Sequence, residues 1–164
     1  MASARFAALD RALSLAKRWC VAVFRYPFTV RFADVDHAGI VYYPVFYHYF
    51  HVAFEELFRE RMGAAAYLKL LDEDKVGFPA VHSECDYKSP LRFADSAETE
   101  IALDRMGTKS VTLRYRVSRC NGEERTLAAE GRVTCAVTDL EAFRAIEPSE
   151  GLRDLFLELG ESVR

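Results

Sequence analysis

Apolar and polar residues change their spacing along the chain. In the segment 24–32 they alternate over the second half, as in a half-buried β-strand. From 46 to 62 the apolar residues recur every three or four positions, which predicts a long helix with an unusually aromatic buried face. Pro44 stands where a first helical turn tolerates proline, and Gly63 is placed to end or kink the helix. Residues 64–71 predict a second, short helix.

The remainder of the chain predicts mostly strands, followed by a short closing helix over 148–159. The predicted strands cover 78–87, 97–106, 110–120 and 126–137. Asn121-Gly122, between the last two, is a strong hairpin signal. Because no crossover helix separates these four strands, we expect antiparallel pairing.

The long helix that follows the first strand is too apolar to be covered on one side only. We therefore expect a five-stranded antiparallel sheet to curl around it in an α+β domain. An open sheet also leaves an edge strand, and pairing with a second copy of the chain would cover that edge. The sequence thus predicts a domain that dimerises.

Residues 1–22 differ in character from the domain that we assign to 23–164. The segment is basic, with one acid, Asp10, against Arg5, Arg11, Lys17 and Arg18. That composition would suit an organelle transit peptide. Its apolar residues also fall at helical spacing, at Phe6, Leu9, Leu13 and Ala16. We favour an amphipathic helical extension.

Composition excludes several classes of function. A length of 164 residues suits one domain, and a net charge of −3 indicates no general affinity for nucleic acid. The apolar runs fall short of the roughly 20 residues of a membrane span. The 4 cysteines contain no CxxC pair, so we expect them to be reduced and mostly buried, in a cytoplasmic protein.

The segment 34–44 reads Asp-Val-Asp-His-Ala-Gly-Ile-Val-Tyr-Tyr-Pro, between the first strand and the aromatic helix. It closely resembles the signature of the 4-hydroxybenzoyl-CoA thioesterase family, which includes bacterial acyl-CoA thioesterases. Element order agrees from about residue 24 onward, and 144–147 (Arg-Ala-Ile-Glu) also resembles the family. The resemblance implies a hot-dog fold, a homodimer or homotetramer, and a site shared between subunits. It implies no cofactor apart from the coenzyme A of the substrate.

The resemblance places the catalytic carboxylate on Asp36 and the backbone N–H that binds the thioester oxygen on Tyr43. The chemistry is compatible with both. Asp36 could attack the carbonyl carbon or deprotonate a water, and a helix start offers free N–H groups to a developing oxyanion. Gly39 suits a tight turn beside a substrate. His37 could orient Asp36 or contact substrate, and an equally favoured interpretation is a loop histidine with no role. Asp34 is more plausibly structural, as acids before a helix usually are.

Three polar residues share one face of the long helix: His48, His51 and Glu55. Such a trio can bind a metal, but no second group of ligands is evident and the family uses none, so we expect no metal. Part of this face could border the acyl pocket, where His51 or Glu55 would select a polar acyl group. An equally favoured interpretation is a solvated or dimer-facing stripe.

A basic bend between two predicted strands contains Arg105, Thr108, Lys109 and Ser110. Lys109-Ser110 resembles a family position at the nucleotide site, and coenzyme A carries phosphates that need cations. We assign Arg105, Lys109 and Ser110 to coenzyme A binding, with Arg144 as a weaker candidate. Arg114 and Arg116, on an alternating strand, are interpreted as solvent-facing.

Three functions remain open from the sequence. The favoured one is hydrolysis of an acyl- or aroyl-CoA thioester. A second is a hot-dog hydratase or dehydratase that would use His51 with Glu55, although the motif at Asp36 argues against it. A third is a non-catalytic acyl binder that contacts an acyl carrier protein through the N-terminal helix.

Overall fold

A computed structural model describes residues 23–160, and the predicted extension 1–22 lies outside them. The α-helices of the described residues are α1 (Val45–Met62), α2 (Ala64–Asp72) and α3 (Glu150–Leu157). The strands are β1 (Phe24–Thr29), β2 (Val76–Gly77), β3 (Ala80–Tyr87), β4 (Ser96–Met106), β5 (Ser110–Asn121), β6 (Glu124–Ala136), β7 (Thr138–Asp139) and β8 (Arg144–Ala145). No described helix is long and apolar enough to cross a membrane.

The main sheet has five strands in the order β1-β4-β5-β6-β3, and every neighbouring pair is antiparallel. The predicted five-stranded antiparallel sheet is therefore confirmed. The hairpin turn lies one residue later than predicted, because Asn121 pairs with Glu124 and Gly122 takes the left-handed conformation, with φ of 61°. A small sheet of β2, β7 and β8 was not predicted, since its two-residue strands are too short to show alternation.

Helix α1 lies against the sheet with its aromatic face buried, as its spacing predicts. Its buried side chains are Phe46, Tyr49, Phe50, Ala53, Phe54, Leu57 and Phe58. The Phe50 ring stacks on Tyr115 of β5, with ring centroids 4.6 Å apart. Gly131 of β6 lies under the same ring, and a Cβ there would stand 2.8 Å from it. Gly63, with φ of 84°, ends the helix.

The opposite face of the sheet carries charges in pairs. Asp104 accepts a hydrogen bond of 2.8 Å from Nη2 of Arg114, and Glu84 accepts one of 2.7 Å from Arg132. Both arginines lower the pKa of the Asp104 carboxyl, with the Arg114 hydrogen bond as the largest cause. The interpretation of Arg114 as simply solvent-facing is therefore wrong, because its half-buried side chain is held in an ion pair.

Strand β3 forms an edge of the sheet and pairs with β6 alone among the described strands. Every residue of β3 is exposed except Cys85, which is half-buried, and Val81 is 64% exposed. Cys85 and Cys120 are free and half-buried, and Cys135 is free and buried. An exposed strand edge of this kind is a template for pairing with another chain.

Candidate active site

The loop that carries Asp36 follows a short 3-10 helix, Phe32–Asp34. The Asp36 N–H donates to the Ile40 carbonyl and the Gly39 N–H donates to the Asp36 carbonyl, each over 2.9 Å. Gly39 takes a φ of 73°, a conformation that a side chain would disfavour. The Asp36 carboxylate is exposed and accepts one hydrogen bond from the described residues, from the Ala38 N–H at 2.8 Å. It is therefore held by its own loop and remains open to a ligand.

Asp34 occupies a different environment from Asp36. Its Oδ2 accepts hydrogen bonds from the Tyr49 hydroxyl at 2.9 Å and from the Arg31 N–H at 2.7 Å. Its carbonyl accepts the Tyr42 N–H at 2.9 Å. Burial, and then the bond to Asp34, raise the pKa of the Tyr49 phenol well above its usual range. Asp34 holds the loop against α1, in agreement with the structural role expected for it.

The start of α1 leaves one backbone donor unused. Pro44 precedes the helix with φ of −69° and ψ of −20° and has no N–H. The Tyr43 carbonyl accepts the Phe46 N–H at 3.4 Å, whereas the Tyr43 N–H donates to no acceptor within the described residues. That N–H lies at the end of α1 where the helix dipole places partial positive charge. It can therefore donate to an anionic or polarised oxygen.

An apolar pocket of about 420 Å³ adjoins the Tyr43 end of α1. Its lining includes Ile40, Tyr43, Phe46, Tyr87 and Leu91. The Tyr87 hydroxyl donates to the Tyr43 carbonyl at 3.3 Å, and burial chiefly raises the pKa of Tyr87 to about 12. Sequence reasoning missed Tyr87 because it ends a strand, where a tyrosine carries no functional signal.

The polar residues of α1 lie apart from the Asp36 loop. His51 Nε2 stands 3.3 Å from Glu55 Oε1, and both side chains are exposed, two turns or about 11 Å into the helix. His48 instead borders a second cavity of about 340 Å³, which Asp34 and Tyr49 also line. Within 23–160, no group of three or more His, Cys, Asp or Glu side chains is arranged to hold a metal ion. His37 is exposed beside Asp36.

The predicted coenzyme A residues lie at the other end of the sheet. Arg105 is exposed near the end of β4. Lys109 lies in the turn to β5, where its carbonyl accepts the Val137 N–H at 2.9 Å, and Ser110 is the first residue of β5. The start of β4 adjoins the segment that leads to Asp36, through the Val30 N–H to Asp95 carbonyl bond of 3.0 Å. Strand β4 has 11 residues, so its two ends lie about 30 Å apart. One chain does not bring Lys109 and Asp36 together.

Comparison with known proteins relates this chain to thioesterases. Residues 30–156 match the Thioesterase-like superfamily. The chain is 30% identical over 98 residues, 60% of its length and 71% of the relative, to a 1,4-dihydroxy-2-naphthoyl-CoA hydrolase of Synechococcus elongatus.

Solved structures agree. A gentisyl-coenzyme A thioesterase superposes with a TM-score of 0.68 at 26% identity, covering 79% of this chain and 98% of that one. A 4-hydroxybenzoyl CoA thioesterase mutant, complexed with 4-hydroxybenzoyl CoA, superposes with a TM-score of 0.73, covering 82% of this chain and 98% of that one. Its 23% identity supports the fold alone, which is the predicted hot-dog fold.

Proposed function

The chain belongs to the thioesterase-like superfamily, and we propose that it hydrolyses an acyl- or aroyl-coenzyme A thioester at Asp36 and the start of α1. The observation that carries the proposal is the pairing of an exposed carboxylate with an unused backbone N–H on one short segment. Asp36 receives only the Ala38 hydrogen bond from the described residues, and Tyr43 N–H donates to none of them. A carboxylate and an oxyanion donor are together sufficient for the chemistry of thioester hydrolysis.

The reaction adds one water to the thioester. The carbonyl C–S bond breaks, a C–O bond forms, and the products are a carboxylic acid and the coenzyme A thiol. Two routes are open to Asp36. It attacks the carbonyl carbon and forms a mixed anhydride that water then cleaves, or it takes a proton from the attacking water. The leaving thiol has a pKa of about 8.5, so its departure needs little help from an acid.

The Tyr43 N–H supplies the second component. When the carbonyl carbon becomes tetrahedral, its oxygen gains negative charge, and a fixed donor near a helix start stabilises that charge more than it stabilises the ground state. Loss of one such donor typically costs a factor of about 10² to 10³ in rate. Gly39 adds no side chain to the loop beside the substrate, and we propose that the exposed His37 contacts the substrate.

The coenzyme A residues point to a site made by two chains. In one chain the Lys109 turn lies about 30 Å from the Asp36 end of the sheet. Two β3 edges paired antiparallel would place the Ala80 end of one beside the Tyr87 end of the other. The Lys109 end of one chain would then approach the Asp36 end of its partner. We therefore propose a homodimer, or a homotetramer built from it, in which Arg105, Lys109 and Ser110 bind the phosphates across the interface.

His51 and Glu55 form a second group of residues that we propose contact the substrate. Both side chains are exposed on α1 and hold each other at 3.3 Å. At a two-chain site, this pair would meet a polar group of the acyl part and select for it. The proposal predicts that His51→Ala changes the order of preferred esters while the hydrolysis of an apolar ester is retained.

The test of the main proposal measures thiol release from a panel of acyl- and aroyl-CoA esters by wild type, Asp36→Asn and Asp34→Asn. Asn at position 36 keeps an oxygen that can accept the Ala38 N–H, so the loop should stay intact. We expect Asp36→Asn to lose at least about 10³-fold in kcat while it binds coenzyme A and unfolds like wild type. Asp34→Asn should instead lower the unfolding free energy. A folded wild type that hydrolyses neither the CoA panel nor carrier-protein thioesters would overturn the proposal.

A further inference from the structure

The apolar pocket beside Tyr43 is built from segments that approach both proposed reactive groups. Ile40 belongs to the Asp36 loop, where its carbonyl accepts the Asp36 N–H at 2.9 Å. Phe46 comes from the first turn of α1, and Tyr87 from the end of the edge strand β3. A volume of about 420 Å³ is within the usual range of small-molecule pockets, about 300 to 1,000 Å³.

The polar side chains that β3 and the following segment bring to this pocket already have partners. The Tyr87 hydroxyl donates to the Tyr43 carbonyl at 3.3 Å, and the Ser89 hydroxyl donates to the Leu127 carbonyl at 2.8 Å. Lys88 Nζ pairs with Glu130 at 3.1 Å. A ligand group in the pocket therefore gains little from hydrogen bonding and most from burying apolar surface.

The rings around the pocket favour a flat ligand group. The Tyr87 ring lies 5.3 Å from the Phe46 ring at 61° and 6.4 Å from the Tyr43 ring at 76°, both near the edge-to-face arrangement. The Tyr87 ring is held at its hydroxyl end by the bond to Tyr43, so it keeps one orientation. A planar ring of a ligand can stack on or meet such a fixed ring edge-on, which a flexible alkyl chain cannot do.

We propose that this pocket receives the acyl group of the substrate and that the Tyr87 ring makes it selective for planar aromatic acyl groups over straight-chain ones. This inference rests on the proposed thioesterase function, in which the reacting carbonyl binds the Tyr43 N–H. Tyr43 itself lines the pocket, so a carbonyl bound to its N–H can direct its acyl substituent there. Tyr87 acts through contact with that substituent and takes no part in proton transfer.

The experiment compares kcat/KM for benzoyl-CoA and hexanoyl-CoA in wild type, Tyr87→Leu and Tyr87→Phe. Tyr42→Leu is the matched control, because Tyr42 is a nearby exposed tyrosine that does not line the pocket. We expect wild type to prefer benzoyl-CoA, and Tyr87→Leu to lower the benzoyl-to-hexanoyl ratio about tenfold. Tyr87→Phe keeps the ring but loses the hydroxyl bond to Tyr43, so its ratio should fall less than that of Tyr87→Leu. Tyr42→Leu should keep the wild-type ratio.

Three outcomes would overturn the inference. Wild type could show no preference for the aromatic ester, or Tyr87→Leu could leave the ratio unchanged. Tyr87→Leu could also lower kcat/KM for both esters by the same factor and weaken inhibition by free coenzyme A. That result would assign the pocket to the pantetheine arm of coenzyme A. Thermal unfolding of each variant separates these results from misfolding. If wild type hydrolyses neither ester, the wider panel of thioesters decides the proposed function, and calorimetric binding of benzoyl-CoA and hexanoyl-CoA still tests the pocket.

Discussion

The Tyr49 hydroxyl donates a 2.9 Å hydrogen bond to Oδ2 of Asp34, and this bond ties helix α1 to the loop that carries Asp36. Tyr49 is 6% exposed and Asp34 is half-buried, so the bond is partly shielded from water. The same carboxylate oxygen accepts the Arg31 N–H, which closes the 3-10 turn before the loop. The position of the proposed catalytic carboxylate therefore depends on a contact between the helix and a neighbouring acid.

Tyr49→Phe should lower the free energy of unfolding by about 2 kcal/mol, because it removes a hydrogen bond to a charged group and leaves part of Asp34 unpaired. The measurement is urea denaturation at neutral pH. Tyr26→Phe is the control, since Tyr26 is half-buried and its hydroxyl has no hydrogen bond among the described residues. Equal losses in the two variants would show that the bond to Asp34 contributes nothing specific.

Stability should fall at alkaline pH because of Cys135. Burial raises the pKa of this thiol from 9.0 to about 11, so between these values the folded protein keeps a proton that the unfolded chain releases. The contribution of Cys135 is present below pH 9 and decreases by about 1.4 kcal/mol per pH unit up to pH 11. Urea denaturation at several pH values measures the slope. Cys135→Ala should reduce this slope by about 1.4 kcal/mol per pH unit, the value for one proton. An unchanged slope would contradict the assignment to Cys135.

Thr99→Val should be neutral or stabilising by about 1 kcal/mol. Thr99 is 0% exposed, and its Oγ1 is buried without a hydrogen-bond partner. Valine has nearly the same shape and removes the unpaired hydroxyl. Thr112→Val is the opposite case, because the Thr112 hydroxyl is 2.9 Å from that of Thr134, and it should cost about 1 kcal/mol. Thermal unfolding of both variants measures the sign of the change in stability. A loss of stability in Thr99→Val would refute the prediction.

Gly131→Ala should destabilise the protein by about 3 kcal/mol or more. A Cβ at this position would stand 2.5 Å from the Glu84 carbonyl oxygen and 2.8 Å from the Phe50 ring, so β3 or α1 must shift. Gly151→Ala serves as control, because that position in α3 has open space and alanine favours a helix. In denaturant unfolding, the free energy of unfolding should fall for Gly131→Ala and rise for Gly151→Ala. Similar stabilities would mean that the packing of α1 on the sheet tolerates a methyl group.

A site shared by two chains should allow complementation. Asp36→Asn and Lys109→Ala are each expected to be weakly active at low substrate concentration. After the two proteins are unfolded and refolded together, mixed dimers would contain one intact site, so about a quarter of all sites should recover. Thiol release by the refolded mixture measures the recovery. Activity no higher than the mean of the two parents would place both residues in the same chain's site.

Much of this molecule is predictable from local sequence. The period of apolar residues predicts α1, its buried aromatic face and its end at Gly63, all of which the structure confirms. Alternation predicts the five strands of the main sheet, and short connections predict their antiparallel pairing. The segment around Asp36 is recognisable because its residues are neighbours in the chain and its conformation is set by hydrogen bonds within the loop.

Tertiary structure alone decided the contacts between distant segments. The bond from Tyr87 to Tyr43 joins the end of β3 to the start of α1, and the ion pair of Arg114 with Asp104 depends on the register of β4 against β5. The same register places Lys109 at the far end of the sheet from Asp36. Residue spacing and propensity depend on interactions between residues that are close in the sequence. The contacts described above depend instead on strand register and on how α1 packs, and only the folded chain determines both.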